Sequence, residues 1–153
     1  ENIFNIILGG RFGNQLKQKR VLDLFSGTGV LGIEAISRGA EHATLVEKNP
    51  QVFKLIQNNI KITNIADQVT LINANALNLG ICEVKPYDLV FLDAPYEKSL
   101  GKNALEKVFL NGWLARNALV VWEDSRSAEV PKDLIYLDEK KYGNTVLTFL
   151  NVP

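Results

Sequence analysis

The sequence has little of what disulfide or metal chemistry requires. It contains one cysteine, Cys82, and one histidine, His42, among 153 residues. A lone cysteine cannot form an intramolecular disulfide, and one residue of each type cannot build a cysteine/histidine metal cluster. We therefore expect no metal centre and a protein that works in the reducing cytoplasm.

Long apolar runs and an excess of one charge are also lacking. No stretch approaches the roughly 20 apolar residues that cross a bilayer, and no secretory signal pattern opens the chain. Lys plus Arg and Asp plus Glu both number 17, so the protein has no overall positive charge to attract phosphates. We predict no membrane contact, and a nucleic acid would have to be bound by a local patch.

Strand-like apolar runs alternate with helical patterns along most of the chain. Such alternation predicts a parallel sheet with helices on both faces. After Pro131 the pattern changes to two strands joined around Gly143 and Asn144, which is a hairpin signal. The predicted strands are 21–25, 43–47, 69–72, 89–93, 118–123, 134–141 and 145–151, and the predicted helices are 2–8, 30–38, 50–62, a short one after Asn75, and 104–111.

These elements predict a Rossmann-like α/β fold, with a mostly parallel seven-stranded sheet that ends in an antiparallel hairpin. That arrangement is typical of class I methyltransferases that use S-adenosylmethionine, rather than of dehydrogenases. The length suits a single domain over residues 1–153. Because Glu1 begins inside a predicted helix, we expect that residues are missing upstream.

A glycine loop follows the first predicted strand. Ligands bind at the carboxyl ends of the strands in open α/β sheets, and this loop, DLFSGTG, begins there with Asp23. Gly27 and Gly29 allow a tight turn close to a ligand, and Ser26 precedes them. The following helix offers unpaired N–H groups to an anion. Glu47 ends the second predicted strand, where an acid can accept both hydroxyls of a ribose.

The glycines alone do not identify the cofactor. Gly27, Gly29 and Gly32 also have the spacing of a dinucleotide site, and a glycine turn can serve packing only. Asp23 favours S-adenosylmethionine, because an acid here can hold the ammonium of a methionine moiety, which NAD lacks. Asn75 and Ala76 follow the third strand; the Asn75 side chain would either contact the adenine edge or cap a helix.

A second motif, DAPY, follows the fourth predicted strand. Asp93 and a backbone carbonyl near Ala94 or Pro95 would accept hydrogen bonds from an exocyclic amino group of a base. These bonds would favour a pyramidal nitrogen whose lone pair points at the methyl donor. Tyr96 would stack on a base turned out of its helix. Catalysis would then consist of positioning and electrostatic support, with direct in-line transfer.

The stretch from Arg20 to Ala40, together with Glu47, Asn75-Ala76 and the motif at 93–96, resembles the RsmD family of bacterial methyltransferases. The opening ENIFNIIL and the NGWL at 111–114 are similar to that family too. The resemblance implies transfer to a guanine N2 amino group of 16S ribosomal RNA, in a partly assembled small subunit, by a monomeric enzyme. Its cofactor contacts would fall on Asp23, Ser26, Gly27, Gly29, Glu47, Asn75 and Ala76, and its acceptor contacts on Asp93, Pro95 and Tyr96.

The sequence departs from the family pattern twice. Ala94 stands where the family has a first proline, which restores a backbone N–H after Asp93. We also expect that the basic N-terminal hairpin segment of the family is lacking ahead of the first helix, which would remove an expected RNA-binding element.

Three alternatives stay open at the sequence level. An adenine-N6 or cytosine-N4 DNA methyltransferase would use the same acceptor motif. An NAD-binding oxidoreductase would use the same glycine loop, although no candidate acid for hydride transfer is visible. A non-catalytic module would bind S-adenosylmethionine or RNA without transferring a methyl group.

Several residues are given no catalytic role. His42 is interpreted as a surface or capping residue in the turn before the second strand, and Cys82 as a loop residue. Trp113 and Trp122 are interpreted as packing residues. The remaining candidates are basic residues that would either meet phosphates or form a solvated surface: Arg11, Lys17, Lys19, Arg20, Lys140 and Lys141.

Overall fold

The computed structural model describes residues 3–95 and 99–153. Its single sheet has seven strands in the order β3-β2-β1-β4-β5-β7-β6. The strands are β1 (Arg20–Asp23), β2 (His42–Val46), β3 (Val69–Ile72), β4 (Tyr87–Leu92), β5 (Leu114–Asp124), β6 (Ile135–Tyr142) and β7 (Thr145–Asn151). The α-helices are α1 (Ile3–Ile7), α2 (Val30–Ser37), α3 (Pro50–Thr63) and α4 (Leu100–Leu110), and 3-10 helices cover Ala66–Gln68 and Ala76–Asn78.

Strand direction agrees with the predicted fold class. β1 to β5 are mutually parallel, whereas β7 lies antiparallel between β5 and β6. The β6–β7 connection is the predicted hairpin: Tyr142 pairs with Thr145 across Gly143 and Asn144. Gly143 has a φ of +56°, which the first central residue of a type II′ turn requires.

Helices cover both faces of the sheet, as predicted. One core joins α1, α2 and α3 to the face that carries Leu45, Phe91 and Phe149. The other core joins α4 to the face that carries Val90, Leu92 and Trp122. Because a parallel sheet is buried on both faces, all six residues are apolar and nearly inaccessible.

Some boundaries differ from the prediction. His42 is the first residue of β2 rather than part of the preceding turn, and its ring Nε2 lies 2.8 Å from the Thr70 hydroxyl. α4 begins at Leu100 instead of 104. The prediction stopped short there because Gly101 reads as a helix breaker. In the fold, Gly101 lets the helix lie against Trp122, since a Cβ would come within 2.9 Å of that indole ring.

The packing assignment of the tryptophans is confirmed, since Trp113 is 6% and Trp122 is 3% exposed. Within the described ranges, no helix is both long and apolar enough to cross a bilayer. The same part of the chain contains no group of three or more His, Cys, Asp or Glu side chains that would hold a metal ion.

Candidate active site

The two sequence motifs meet at one edge of the sheet. β1 and β4 are neighbours, with Asp23 opposite Phe91, so that both motifs leave the sheet at its carboxyl edge. A cleft of about 360 Å³ lies there. We call it the cofactor cleft, and its lining residues are Leu24, Phe25, Gly27, Val46, Glu47, Lys48, Ala74, Ala76, Asp93, Ala94 and Pro95.

The glycine loop forms one wall of the cofactor cleft. Gly27 and Gly29 have φ values of +54° and +81°, a region that side chains other than glycine rarely adopt. The Ser26 N–H donates to the Val46 carbonyl oxygen at 2.9 Å, and its hydroxyl donates to the Asp23 carbonyl oxygen at 3.0 Å. The loop is therefore tied to the ends of both β1 and β2.

Glu47 holds the loop and the start of α3 together. Its Oε1 accepts from the Gly27 N–H at 2.9 Å, and its Oε2 accepts from the Asn49 N–H at 2.9 Å. Each carboxylate oxygen has two lone pairs, so both retain acceptor capacity toward the cleft. The side chain is thus held at the end of β2, in the position that the sequence predicts for a ribose ligand.

Asp23 is a buried acid without a strong partner. It is 1% exposed, and among the described residues neither carboxylate oxygen has a hydrogen bond of normal geometry. Burial is the largest of the effects that together raise the pKa of Asp23 from its ordinary value of 3.8 to about 7. The Phe25 backbone amide and the Ser26 hydroxyl oppose this rise in pKa. The Asp93 and Glu47 carboxylates add to it. Asp23 does not itself line the cofactor cleft, but Leu24 and Phe25, which follow it in the chain, do. A buried carboxyl so close to a cleft is suited to a cationic ligand.

Asn75 has the capping role that was one of its two predicted alternatives. Its Oδ1 accepts from the Leu77 N–H at 2.9 Å and so caps the turn Ala76–Asn78. Ala76 is 3% exposed and contributes its methyl group to the cleft wall. Asn73, which sequence reasoning missed, donates from Nδ2 to the Glu47 carbonyl oxygen at 2.8 Å and ties β3 to the β2–α3 connection.

The residues that the sequence predicts as acceptor contacts lie at this cleft. Asp93 and Pro95 follow β4, are exposed, and line the cofactor cleft. Ala94, the departure from the family pattern, is half-buried and lines the same cleft. Tyr96 lies outside the described residues.

Glu123 is a further acid that sequence reasoning missed. Leu92 pairs with Trp122 in adjacent parallel strands, so Asp93 and Glu123 are the next residues along the two strands. Asp93 has left the sheet, whereas Glu123 is still part of β5. Their carboxyl groups lie close enough for each to shift the pKa of the other. The available signal was the position of Glu123 near the end of a buried apolar strand, which resembles the positions of Asp23, Glu47 and Asp93.

Burial raises the pKa of both Asp93 and Glu123. The Asp93 carboxylate adds to the rise in the pKa of Glu123. The nearby Asp124 carboxylate also raises the pKa of Asp93. Two adjacent carboxyl groups cannot both ionise easily, and they titrate as a pair.

The pair opens onto a smaller cavity of about 220 Å³. We call it the acceptor cavity, and it is lined by Asp93, Ala94, Glu123, Asp124, Ser125, Asn144 and Thr145. Because Asp93 and Ala94 line both spaces, the acceptor cavity and the cofactor cleft adjoin.

Comparisons with known proteins agree with this architecture. A family model described as Conserved hypothetical protein 95 matches residues 1–151. Ribosomal RNA small subunit methyltransferase D of Buchnera aphidicola (subspecies Acyrthosiphon pisum) is 38% identical over 140 residues, which cover 90% of this chain and 72% of that protein.

Solved structures share the fold. A conserved hypothetical protein of Streptococcus pyogenes is 36% identical with a TM-score of 0.82, over 99% of this chain and 93% of that one. An RNA methyltransferase from Salinibacter ruber, solved with S-adenosyl-L-homocysteine, has a TM-score of 0.71 at 18% identity, over 90% of this chain and 84% of that one.

The family model and the Buchnera relative each cover most of the chain, including both strand-end motifs. They exclude the NAD-dependent oxidoreductase and the non-catalytic module as interpretations of the glycine loop. The chain belongs to the RsmD family and is a methyltransferase.

Proposed function

We propose that the protein transfers a methyl group from S-adenosylmethionine to the exocyclic N2 amino group of a guanine in 16S ribosomal RNA. One observation carries the proposal: Asp93 stands at the rim of the same cleft as Gly27 and Glu47. A donor held by the glycine loop and an amine held by Asp93 would therefore meet without any large movement.

The residues present fit S-adenosylmethionine. The unpaired buried carboxyl of Asp23 would hold the ammonium of the methionine moiety, and the Glu47 carboxylate would accept the ribose hydroxyls. Ala76 offers an apolar surface for the adenine. The Salinibacter RNA methyltransferase, which has this fold, was solved with S-adenosyl-L-homocysteine, the product of such a transfer.

Bound S-adenosylmethionine would supply a methyl group made electrophilic by the adjacent sulfonium. An exocyclic amino group is a weak nucleophile because its lone pair is delocalised into the ring. By accepting a hydrogen bond from that amino group, Asp93 would favour the pyramidal form and support the positive charge that develops on nitrogen. Asp93 would also fix the direction of the lone pair, so that positioning supplies much of the rate.

The Asp93–Glu123 pair supports guanine as the base. Guanine presents two donors side by side, its N1–H and its N2 amino group, and two neighbouring carboxyl oxygens match this edge. Adenine and cytosine instead present an acceptor beside their amino group. Adenine or cytosine would bind well to the pair only if Glu123 were protonated, because an ionised Glu123 would face the lone pair of a ring nitrogen.

The choice of RNA rests on relatives and on the resemblance of the sequence. The Buchnera relative is named a ribosomal RNA small subunit methyltransferase. The finer substrate, a partly assembled small subunit, and the expectations of a monomer and of the cytoplasm follow from the resemblance. They stay predictions.

The test is to map the methylated nucleoside. The protein is incubated with labelled S-adenosylmethionine and with small subunits or 16S RNA that lack the modification, and DNA oligonucleotides serve as a parallel substrate. We expect label on guanine N2 in RNA, at a higher rate on partly assembled subunits than on free RNA. Label on adenine N6 or cytosine N4 of the DNA would instead support the rival activity.

The variant Asp93→Ala serves as the site control for this assay. We expect transfer to fall below detection, while affinity for S-adenosylhomocysteine changes less than about threefold because Asp93 lies at the cleft rim rather than beneath the ligand. Methylation by Asp93→Ala at the normal rate would disprove the role given to Asp93.

A further inference from the structure

A basic groove adjoins the acceptor cavity on the side away from the cofactor cleft. It has a volume of about 540 Å³ and lies between the loop after β5 and the β6–β7 turn. Its lining residues are Ser125, Arg126, Ser127, Lys141, Gly143, Asn144 and Val146. Ser125 and Asn144 also line the acceptor cavity, so the two spaces are continuous.

The lining of this groove has the composition of a phosphate site. Arg126 and Lys141 supply positive charge, and the Ser127 hydroxyl and the Asn144 amide supply further donors. None of the described residues that line the groove is acidic. The nearby Asp124 carboxylate is engaged locally, since its Oδ1 accepts from the Ser125 N–H and hydroxyl.

The groove cations differ from the basic residues that form ion pairs. Among residues 3–95 and 99–153, the ion pairs join Arg11 to Asp138, Arg38 to Glu34 and Lys102 to Glu129, and none includes Arg126 or Lys141. Arg20 stacks on the Tyr87 ring at the start of β1, at the opposite edge of the sheet. Arg126 and Lys141, both exposed, are thus the cations next to the acceptor cavity that the described part of the chain leaves outside ion pairs.

We propose that this groove binds the phosphodiester backbone of the substrate RNA next to the target nucleotide. The proposal rests on the proposed function, because a base that enters the acceptor cavity carries its strand with it. Its flanking phosphates must then lie near the rim of that cavity, and the groove opens there. Arg and Lys would neutralise them while the serine and asparagine side chains donate hydrogen bonds, which positions the strand without reading its sequence.

The double variant Arg126→Ala/Lys141→Ala in the complete chain tests this groove. Binding of an unmodified 16S RNA fragment is measured over a range of salt concentrations, together with methylation kinetics. We expect RNA affinity to fall on the order of tenfold and the slope of log K against log salt to become smaller by about 1.4, since each single-strand phosphate contact contributes about 0.7. KM for RNA should rise, while kcat at saturating RNA and the affinity for S-adenosylhomocysteine stay the same.

Two further variants separate charge from folding. Arg126→Lys/Lys141→Arg keeps both charges and should retain most of the affinity. Lys54→Ala/Lys61→Ala removes two exposed lysines from α3, which connects β2 to β3 at the other end of the sheet, and should leave the salt slope unchanged.

The outcomes distinguish the groove from the proposed function. The double alanine variant could keep the salt slope and the KM for RNA unchanged while guanine methylation stays intact. That result would overturn the role of the groove but not the proposed function. A reduced slope with label on a base other than guanine would support the groove and overturn the proposed function. If the wild-type protein binds no RNA, the proposal that this groove binds RNA is wrong.

Discussion

At the scale of single residues, the site depends on acids that the sheet places at neighbouring strand ends. The sequence predicted Asp23, Glu47 and Asp93 as site residues, because each ends or follows a predicted strand. Glu123 was not predicted, because its nearness to Asp93 depends on the register between β4 and β5. That register is a long-range property, and no local pattern around Glu123 reveals it.

The raised pKa of Asp23 gives a pH-dependent prediction. The carboxyl titrates near pH 7 when the cleft is free, and a ligand ammonium would favour its charged form. Affinity for S-adenosylhomocysteine should therefore fall by up to about tenfold per unit as the pH drops below 7. In Asp23→Asn the affinity should be lower at pH 7.5 and nearly independent of pH, as measured by calorimetry.

In the ligand-free protein, the stability that Asp23 contributes changes with pH in the opposite direction to the ligand affinity. Because the folded pKa of Asp23 lies above its ordinary value of 3.8, the folded state binds more protons than the unfolded state between these two values. Stability from this residue is thus complete below about pH 4 and is lost as pH rises toward 7. Asp23→Asn should lack this loss in denaturant unfolding. If both proteins show the same pH dependence of affinity and stability, the raised pKa is wrong.

Glu123 gives a second prediction, which concerns turnover. Guanine N1–H binds more strongly to an ionised carboxylate than to a protonated carboxyl, so kcat at saturating cofactor should rise with pH as the Asp93–Glu123 pair, whose pKa values are raised, ionises. In Glu123→Gln we expect kcat to fall by about tenfold because a charge-assisted hydrogen bond is lost. The midpoint of the pH profile should also move to lower pH, because Asp93 no longer has an ionisable neighbour.

The matched control is Asp67→Asn, which removes an exposed carboxylate from the 3-10 helix Ala66–Gln68 before β3. Its pH profile should equal that of the original protein. A Glu123→Gln profile with an unmoved midpoint would show that the two carboxyl groups do not titrate together.

At the scale of elements, helix and strand order followed from the sequence, whereas several ends did not. The extended start of α4 is one such case, since Gly101 is explained by contact with Trp122 rather than by helix propensity. Gly32 shows the same principle inside α2. A Cβ built there would lie 2.1 Å from Leu45 Cδ2, so the glycine lets the helix pack closely on β2.

Gly32→Ala should therefore weaken the α2–β2 contact. Overpacking of this kind costs roughly 1–3 kcal/mol, against which alanine gains about 1 kcal/mol in helix propensity. We expect a net loss of stability in denaturant unfolding and weaker binding of S-adenosylhomocysteine, because α2 follows the glycine loop. Ser37→Ala, an exposed small residue of α2, is the control. A Gly32→Ala protein more stable than the original would show that Leu45 yields without strain.

At the scale of the whole molecule, the alternation of strand and helix patterns predicted a parallel sheet. The two strand patterns on either side of Gly143 and Asn144 predicted the hairpin. Strand order was not encoded in any local pattern, because it depends on which crossovers the connections make. The meeting of the two motifs followed only from the rule that ligands bind at strand ends in such sheets. The acceptor cavity needed more, since Asn144 and Thr145 reach it from a strand pair that the chain adds last.

The antiparallel insertion of β7 has a consequence for how such enzymes diversify. Because β7 starts where β5 ends, the β6–β7 turn reaches the acceptor cavity through Asn144, while Gly143 and Asn144 both lie outside the two apolar cores. A longer turn would change the shape of the cavity entrance without disturbing the pairing of β6 with β7. We therefore expect insertions in this turn to change substrate preference more than stability.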